Sequence, residues 1–157
     1  LFGETKAMLG ADIEKYGSAT VQTIFAEYER QFQPFHGHDL LKAMAERARF
    51  VRAWNVFLEQ WPLVLTPFLP KPIFRWDRDT QGAEGVREVL GCAIYSYSMN
   101  FMGLPAGNVP AAMHEGHPVG VQVVAQRFRE DLILDALEAI ETQAGVMAPR
   151  LWQSRAD

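Results

Sequence analysis

A single cysteine, Cys92, stands in the whole chain, so no disulfide can form within it and no thiolate cluster can bind a metal. It falls in the apolar run from Val89 to Tyr97, where it reads as a buried, inert thiol rather than a nucleophile. Basic charge is also scarce. Fifteen lysines and arginines against 19 acids give a net charge of −4, which leaves no footprint for nucleic acid or an anionic membrane. No uninterrupted apolar stretch reaches the roughly 18 residues that crossing a bilayer requires. At the N-terminus Glu4, Lys6 and Asp12 break up any signal-peptide core, so the cytoplasm is the expected compartment. Repeats and low-complexity tracts are lacking too. An initiating Met is absent, and Leu1-Phe2-Gly3-Glu4 reads like the middle of something, so further sequence is expected upstream.

What is present fits one compact domain: 157 residues, 48% of them apolar, can bury a sizeable core. The first 61 residues read as helical. Val21, Ile24, Phe25, Tyr28 and Phe32 recur at helical spacing between Val21 and Gln33, and Pro34 stops that helix ahead of a turn at Phe35-His36-Gly37. From His38 to Trp61, Leu40, Met44, Val51, Trp54 and Leu58 share one face, opposite Lys42, Glu46, Arg49, Arg52 and Glu59. Asp39 sits at the start, where a carboxylate favours a helix N-terminus. This spacing predicts a long amphipathic helix with one buried face.

Residues 62–83 change character. Leu63 to Thr66, held between prolines, reads as a fully buried strand, and Pro67 to Gly85 as an irregular surface excursion. Residues 84–145 then predict helix, strand, strand and helix. Glu84 to Met102 is helical, Ala106 to Val109 extended, Met113 to Gly116 a turn, and Val119 to Ala125 extended. Glu130 to Ala144 is helical, with Gly145 as its stop, and residues 146–157 form a tail. Helices feeding strands imply an α/β arrangement, and three strands alone would leave sheet edges exposed.

Individual residues explain these turns. Gly103 and Pro105 end the helix and aim the chain into a strand, and Gly116 permits a tight reversal. Gly120 would let another segment approach closely, and Gln122, the polar residue inside an apolar strand, needs hydrogen-bond partners if buried. Fold maintenance accounts for all of them.

The ordered run NFMGLPAGNVPAAMHEGHPVGVQVVAQRFREDLILDALEAIE, from Asn100 to Glu141, resembles the C-terminal signature of the amidase-signature hydrolases. The matches fall at Asn100, Gly103, Leu104, Pro105, Ala106, Pro110, Pro118, Val119, Gly120, Val121 and Gln122, and upstream at Leu65, Thr66 and Pro67. His117, Asn108 and Trp61-Pro62 depart from the pattern. The resemblance implies part of a mixed β-sheet flanked by helices. It implies a small-molecule amide substrate in the full-length enzyme, an N-terminal catalytic portion as partner, and no cofactor.

The family's chemistry rests on a nucleophilic serine, a second serine bridging in a cis peptide, and a lysine base, carried in a Gly/Ser-rich segment. Here Ser18, Ser96, Ser98 and Ser154, and Lys6, Lys15, Lys42 and Lys71, stand outside any Gly-Gly-Ser-Ser-Gly loop. Ser18 reads as a helix N-cap instead. No catalytic residue is therefore expected in this chain, and it would be inactive alone. The pairs His36/His38 and His114/His117 lack metal-site spacing and read as surface histidines, so no metal is expected. The substrate-pocket candidates are Tyr97, Asn100 and Phe101, together with the irregular stretch before them. The alternative is a stand-alone non-catalytic module that binds a partner or forms a homo-oligomer through exposed strand edges.

Overall fold

The computed structural model describes residues 2–33, 35–71 and 73–153, the side chain of residue 150 excepted. The helix stop assigned to Pro34 and the serine at position 154 lie outside them. The chain divides into two compact units, residues 1–49 with 74–94, and residues 50–73 with 95–157.

The first unit is helical. It holds α1 (Phe2–Tyr16), α2 (Ala19–Gln31), the first half of α3 (Gly37–Gln60) and α4 (Gly82–Cys92). Ser18 caps α2 as expected, its Oγ accepting from the Val21 N–H at 3.3 Å. Phe2 packs its ring on Tyr28 and Phe25, and Lys6 pairs with Glu29, which joins α1 to α2. The Gln31 amide donates to the Ala83 carbonyl at 2.7 Å, tying α2 to the start of α4. The excursion before α4 contains a 3-10 turn, Arg78–Thr80, whose Arg78 Nε donates to Glu88 at 2.7 Å. That hydrogen bond, with the charges of Glu88 and Glu84, holds the guanidinium pKa above its ordinary value.

The second unit contains the sheet. β1 (Leu63–Pro67), β2 (Ala106–His114) and β3 (His117–Ala125) lie in the order β1-β3-β2, and both pairings are antiparallel. Side chains alternate between faces with a period of two. On one face Val123 and Ala125 meet Ile133, Leu137 and Ile140 of α6 (Glu130–Ala144), with Leu63 at the margin. On the other, Val64 and Val124 meet Leu58 and Trp54 of α3 and Met99 and Met102 of α5 (Ile94–Met102). A last helix, α7 (Ala148–Gln153), follows Gly145, whose positive φ of 80° and bond to the Glu141 carbonyl stop α6 as expected.

Several boundaries differ from the sequence reading. The helix expected over Glu84 to Met102 is two helices, broken at Ala93, whose N–H closes a tight three-residue turn onto Leu90 O at 3.1 Å. Gly91, a poor helix former, precedes the break. β2 continues past Val109 to His114, because a register shift between Pro110 and Ala112 accommodates the proline that cannot donate to the ladder. The turn is then only Glu115-Gly116, both at positive φ, the geometry of a two-residue type I′ hairpin. β1 is not fully buried: Leu65 is 63% exposed at the sheet edge. On α3, Leu58 is buried, whereas Leu40 and Met44 in the first half are exposed, so the expected buried face is realised only in the second half.

The close approach expected at Gly120 occurs elsewhere. A Cβ added at Gly120 would make ordinary contact, 3.5 Å from Phe68 Cβ, whereas at Gly107 it would lie 2.6 Å from Leu137 Cδ1 and 2.7 Å from Ile133 Cγ2. Gly107→Ala should therefore cost about 1–3 kcal/mol in urea unfolding, the usual effect of overpacking a filled core. Gly10→Ala, mid-helix in α1 with only Lys6 Cγ at 3.6 Å, should be neutral or gain up to about 1 kcal/mol. Equal effects of the two substitutions would show that α6 does not seat on Gly107.

Candidate functional site

Of the residues singled out from the sequence, Tyr97, Asn100, Phe101, Gly103 and Pro105 lie on or just after α5, and Gln122 lies on the sheet face that packs against it. The α5 C-terminus closes through two backbone bonds, Leu104 N to Met99 O at 3.1 Å and Gly103 N to Asn100 O at 3.2 Å. Gly103 has a φ of 65°, and this paired closure with a left-handed glycine is a Schellman motif. Leu104 and Met99 are both buried in the same cluster, which supplies the hydrophobic contact that accompanies the motif. Pro105 then leads into β2, and its carbonyl accepts from the Ala125 N–H at 3.2 Å. The turn is thereby fastened to the end of β3.

Arg127 reinforces that fastening. Its Nη2 donates to Met102 O at 2.7 Å and its Nε to Gly103 O at 3.1 Å. A cation against the last carbonyls of a helix also complements the helix dipole. No local sequence signal pairs Arg127 with the end of α5, because the contact spans 25 residues of chain.

Beyond this anchor, along the same face of β3, comes Gln122. It is 1% exposed, and its Nε2 donates to Thr66 Oγ1 of β1 at 3.1 Å, which meets the need for a partner read from the sequence. On its other side it lies in register with Asn108 of β2. Thr66, Gln122 and Asn108 thus form a polar rung across all three strands, directly after the apolar step of Val64 and Val124.

The three pocket candidates lie on α5. Tyr97 is half-buried, Phe101 packs against the core, and Asn100 is exposed, with its Nδ2 on the Ser96 carbonyl at 3.0 Å. At the start of the excursion, Phe68 to Lys71 and Ile73 line a cleft with the β2–β3 hairpin tip, and none of the three α5 candidates is among its described lining residues. Among the described residues no group of three or more metal-ligating side chains gathers. No described helix is long and apolar enough to cross a membrane.

At the start of α6, Arg129 makes two bonds to Asp131, each 2.9 Å. The hydrogen bond from Arg129, more than its charge, holds the Asp131 carboxyl below the usual carboxylate range. Both side chains face solvent, so the pair orders the helix start rather than adding much stability.

Residues 4–134 match the protein family described as amidase. Over 115 residues the chain is 44% identical to an indoleacetamide hydrolase of Bradyrhizobium japonicum, covering 73% of this chain and 25% of that protein. Over 99 residues it is 31% identical to a glutamyl-tRNA(Gln) amidotransferase component of Mesorhizobium japonicum, covering 62% of this chain and 19% of that one. Among solved structures, the glutamyl-tRNA(Gln) amidotransferase component of the same kind from Thermotoga maritima matches at TM-score 0.57 and 25% identity, over 87% of this chain and 28% of that one. The 6-aminohexanoate cyclic dimer hydrolase, at TM-score 0.63 and 20% identity over 94% of this chain and 33% of that one, shares the fold. The chain spans about a quarter of the length of the indoleacetamide hydrolases it matches.

Two outcomes test this geometry. Thr66→Val should cost about 1–3 kcal/mol by leaving the buried Gln122 amide without its acceptor, and Gln122→Met a similar amount. The double variant should cost less than the sum, with strictly additive urea midpoints as the result that dissolves the rung. In an NMR titration the Asp131 carboxyl should show a midpoint below the usual range, rising toward it in Arg129→Gln. The sign follows from a depressed folded pKa: the pair's contribution is present above the unfolded value and lost as pH falls through the folded one.

Proposed function

The chain belongs to the amidase family, and on that premise we propose that it is the C-terminal portion of a carboxamide hydrolase. In this reading the nucleophilic serine, the bridging serine and the lysine base lie in a segment outside the 157 residues. The observation that carries the proposal is the 44% identity to an indoleacetamide hydrolase, across a span that forms only a quarter of that enzyme. The absence of a Gly-Gly-Ser-Ser-Gly loop from this sequence supports placing the chemistry elsewhere. An arylacetamide, of the kind named for the relatives, is the proposed substrate class, and its hydrolysis through an acyl-enzyme calls for no cofactor.

This portion would extend the sheet and supply one wall of the pocket from the end of α5. Tyr97, Asn100 and Phe101 are the wall residues, held in place by the Gly103 closure and by Arg127. Its partners would be the catalytic segment of the same protein and the amide itself, in the cytoplasm.

Release of ammonia from indole-3-acetamide tests the reading, measured on these 157 residues and on the full product of the gene. The full product should turn over and the 157 residues alone should not. Asn100→Ala in the full product should raise KM by roughly fivefold, the worth of one hydrogen bond of about 1 kcal/mol, without lowering the melting temperature. Turnover by the 157 residues alone would overturn the assignment of the chemistry to other sequence. A full product inert toward arylacetamides would overturn the substrate class.

A further inference from the structure

A cleft of about 370 Å³ opens between Phe68 to Lys71 with Ile73 on one side and the tip of the β2–β3 hairpin on the other, within the second unit. Its size falls in the range of small-molecule sites. One wall is apolar, made by Phe68 and Ile73 on the loop and by Pro118 and Val119 on β3. Its ionisable lining residues, Lys71, His114 and His117, all become cations on protonation. No carboxylate is among the described lining residues. Outside the lining, Glu115 sits on the turn with its side chain 82% exposed and its Oε1 3.9 Å from His114 Nε2.

The backbone holds this arrangement. The Phe68 N–H donates to Gly120 O at 3.3 Å, which fixes the start of the loop against β3. The type I′ turn at Glu115-Gly116 sets His114 directly opposite His117 in the last pair of the ladder. Two imidazoles are thus brought together at the mouth of an apolar cleft by a rigid two-residue turn. Each imidazole offers N–H donors, and a histidine carrying its second proton adds charge.

We propose that this cleft binds a small organic anion with an apolar body, such as an aryl-substituted carboxylate. The apolar wall takes the body and the paired imidazoles take the carboxylate. The site is separate from the α5 wall, since Tyr97, Asn100 and Phe101 do not line it. It does not rest on the amidase reading, although the acid released by an arylacetamide hydrolase would belong to this ligand class.

Calorimetric titration of the purified protein with 3-phenylpropanoate, 3-phenylpropanamide and acetate tests the proposal. The phenylpropanoate should bind saturably, and both the neutral amide and the body-less acetate at least about tenfold more weakly. His114→Gln/His117→Gln should weaken phenylpropanoate about tenfold while leaving the melting temperature unchanged, because both residues are exposed at a turn. Ile73→Ser should weaken it through the apolar wall instead. Absence of saturable binding, equal affinity for the neutral amide, or undiminished binding by the double histidine variant would each overturn the proposal. None of these outcomes depends on whether any amide is hydrolysed.

Discussion

The second unit depends on a central strand that is buried on both faces. Val123, Val124 and Ala125 of β3 are all 0% exposed, because α6 covers one side and α3 with α5 the other. A strand in that position cannot alternate apolar and polar residues, and this one reads as a nearly continuous apolar run. Its one strongly polar member, Gln122, must then find its partner inside the sheet, and Thr66 on the neighbouring strand supplies it. The same double burial dictates Gly107 on β2. There α6 comes so close that a Cβ would require Ile133 and Leu137 to shift.

How much of this could be read from the sequence follows from the range over which each interaction acts. Local devices were legible: the Ser18 cap, the Gly145 stop, the Gly103 closure and the Gly116 reversal each depend on residues within a few positions. The long periodic helix was legible for the same reason. Boundaries set by competition were not. Pro110 suggested a strand end, but a register shift lets β2 run on to His114, and the shift depends on the partner strand. Gly91 could have signalled the break after α4, yet an isolated glycine in an apolar helix is compatible with continuation.

The candidate site shows the same division more sharply. Asn100, Gly103, Pro105 and Gln122 stood out as types in a pattern; in the structure the first three sit at or just past the end of α5, and Gln122 on the sheet face that α5 packs against. Arg127 and Gly107 did not stand out, although one fixes the α5 end and the other seats α6. Their roles come from contacts 24 or more residues away, and an arginine after a strand or a glycine within one has many innocent readings. The cleft at the hairpin tip was invisible for a related reason. His114 and His117 are separated by two residues, but only a type I′ turn sets them opposite each other in the ladder, and only the loop from Phe68 gives them a wall.

The position of the α5 end is therefore a property of the sheet rather than of the helix. Alone, a nine-residue helix is marginal in water, and its last turn would fray. Here its final carbonyls are held by the guanidinium of Arg127, which enters from the end of β3, while the Ala125 N–H of that strand holds Pro105. Between Arg127 and Arg129 the backbone passes through a left-handed Phe128, with a φ of 65°, before α6 begins. A non-glycine residue costs roughly 1–2 kcal/mol in that conformation, and this one sits where the chain must leave β3, brace α5 and start α6 within four residues. The end of α5, which carries Tyr97, Asn100 and Phe101, is thus placed by β3, and the twice-buried strand fixes both the core and that surface.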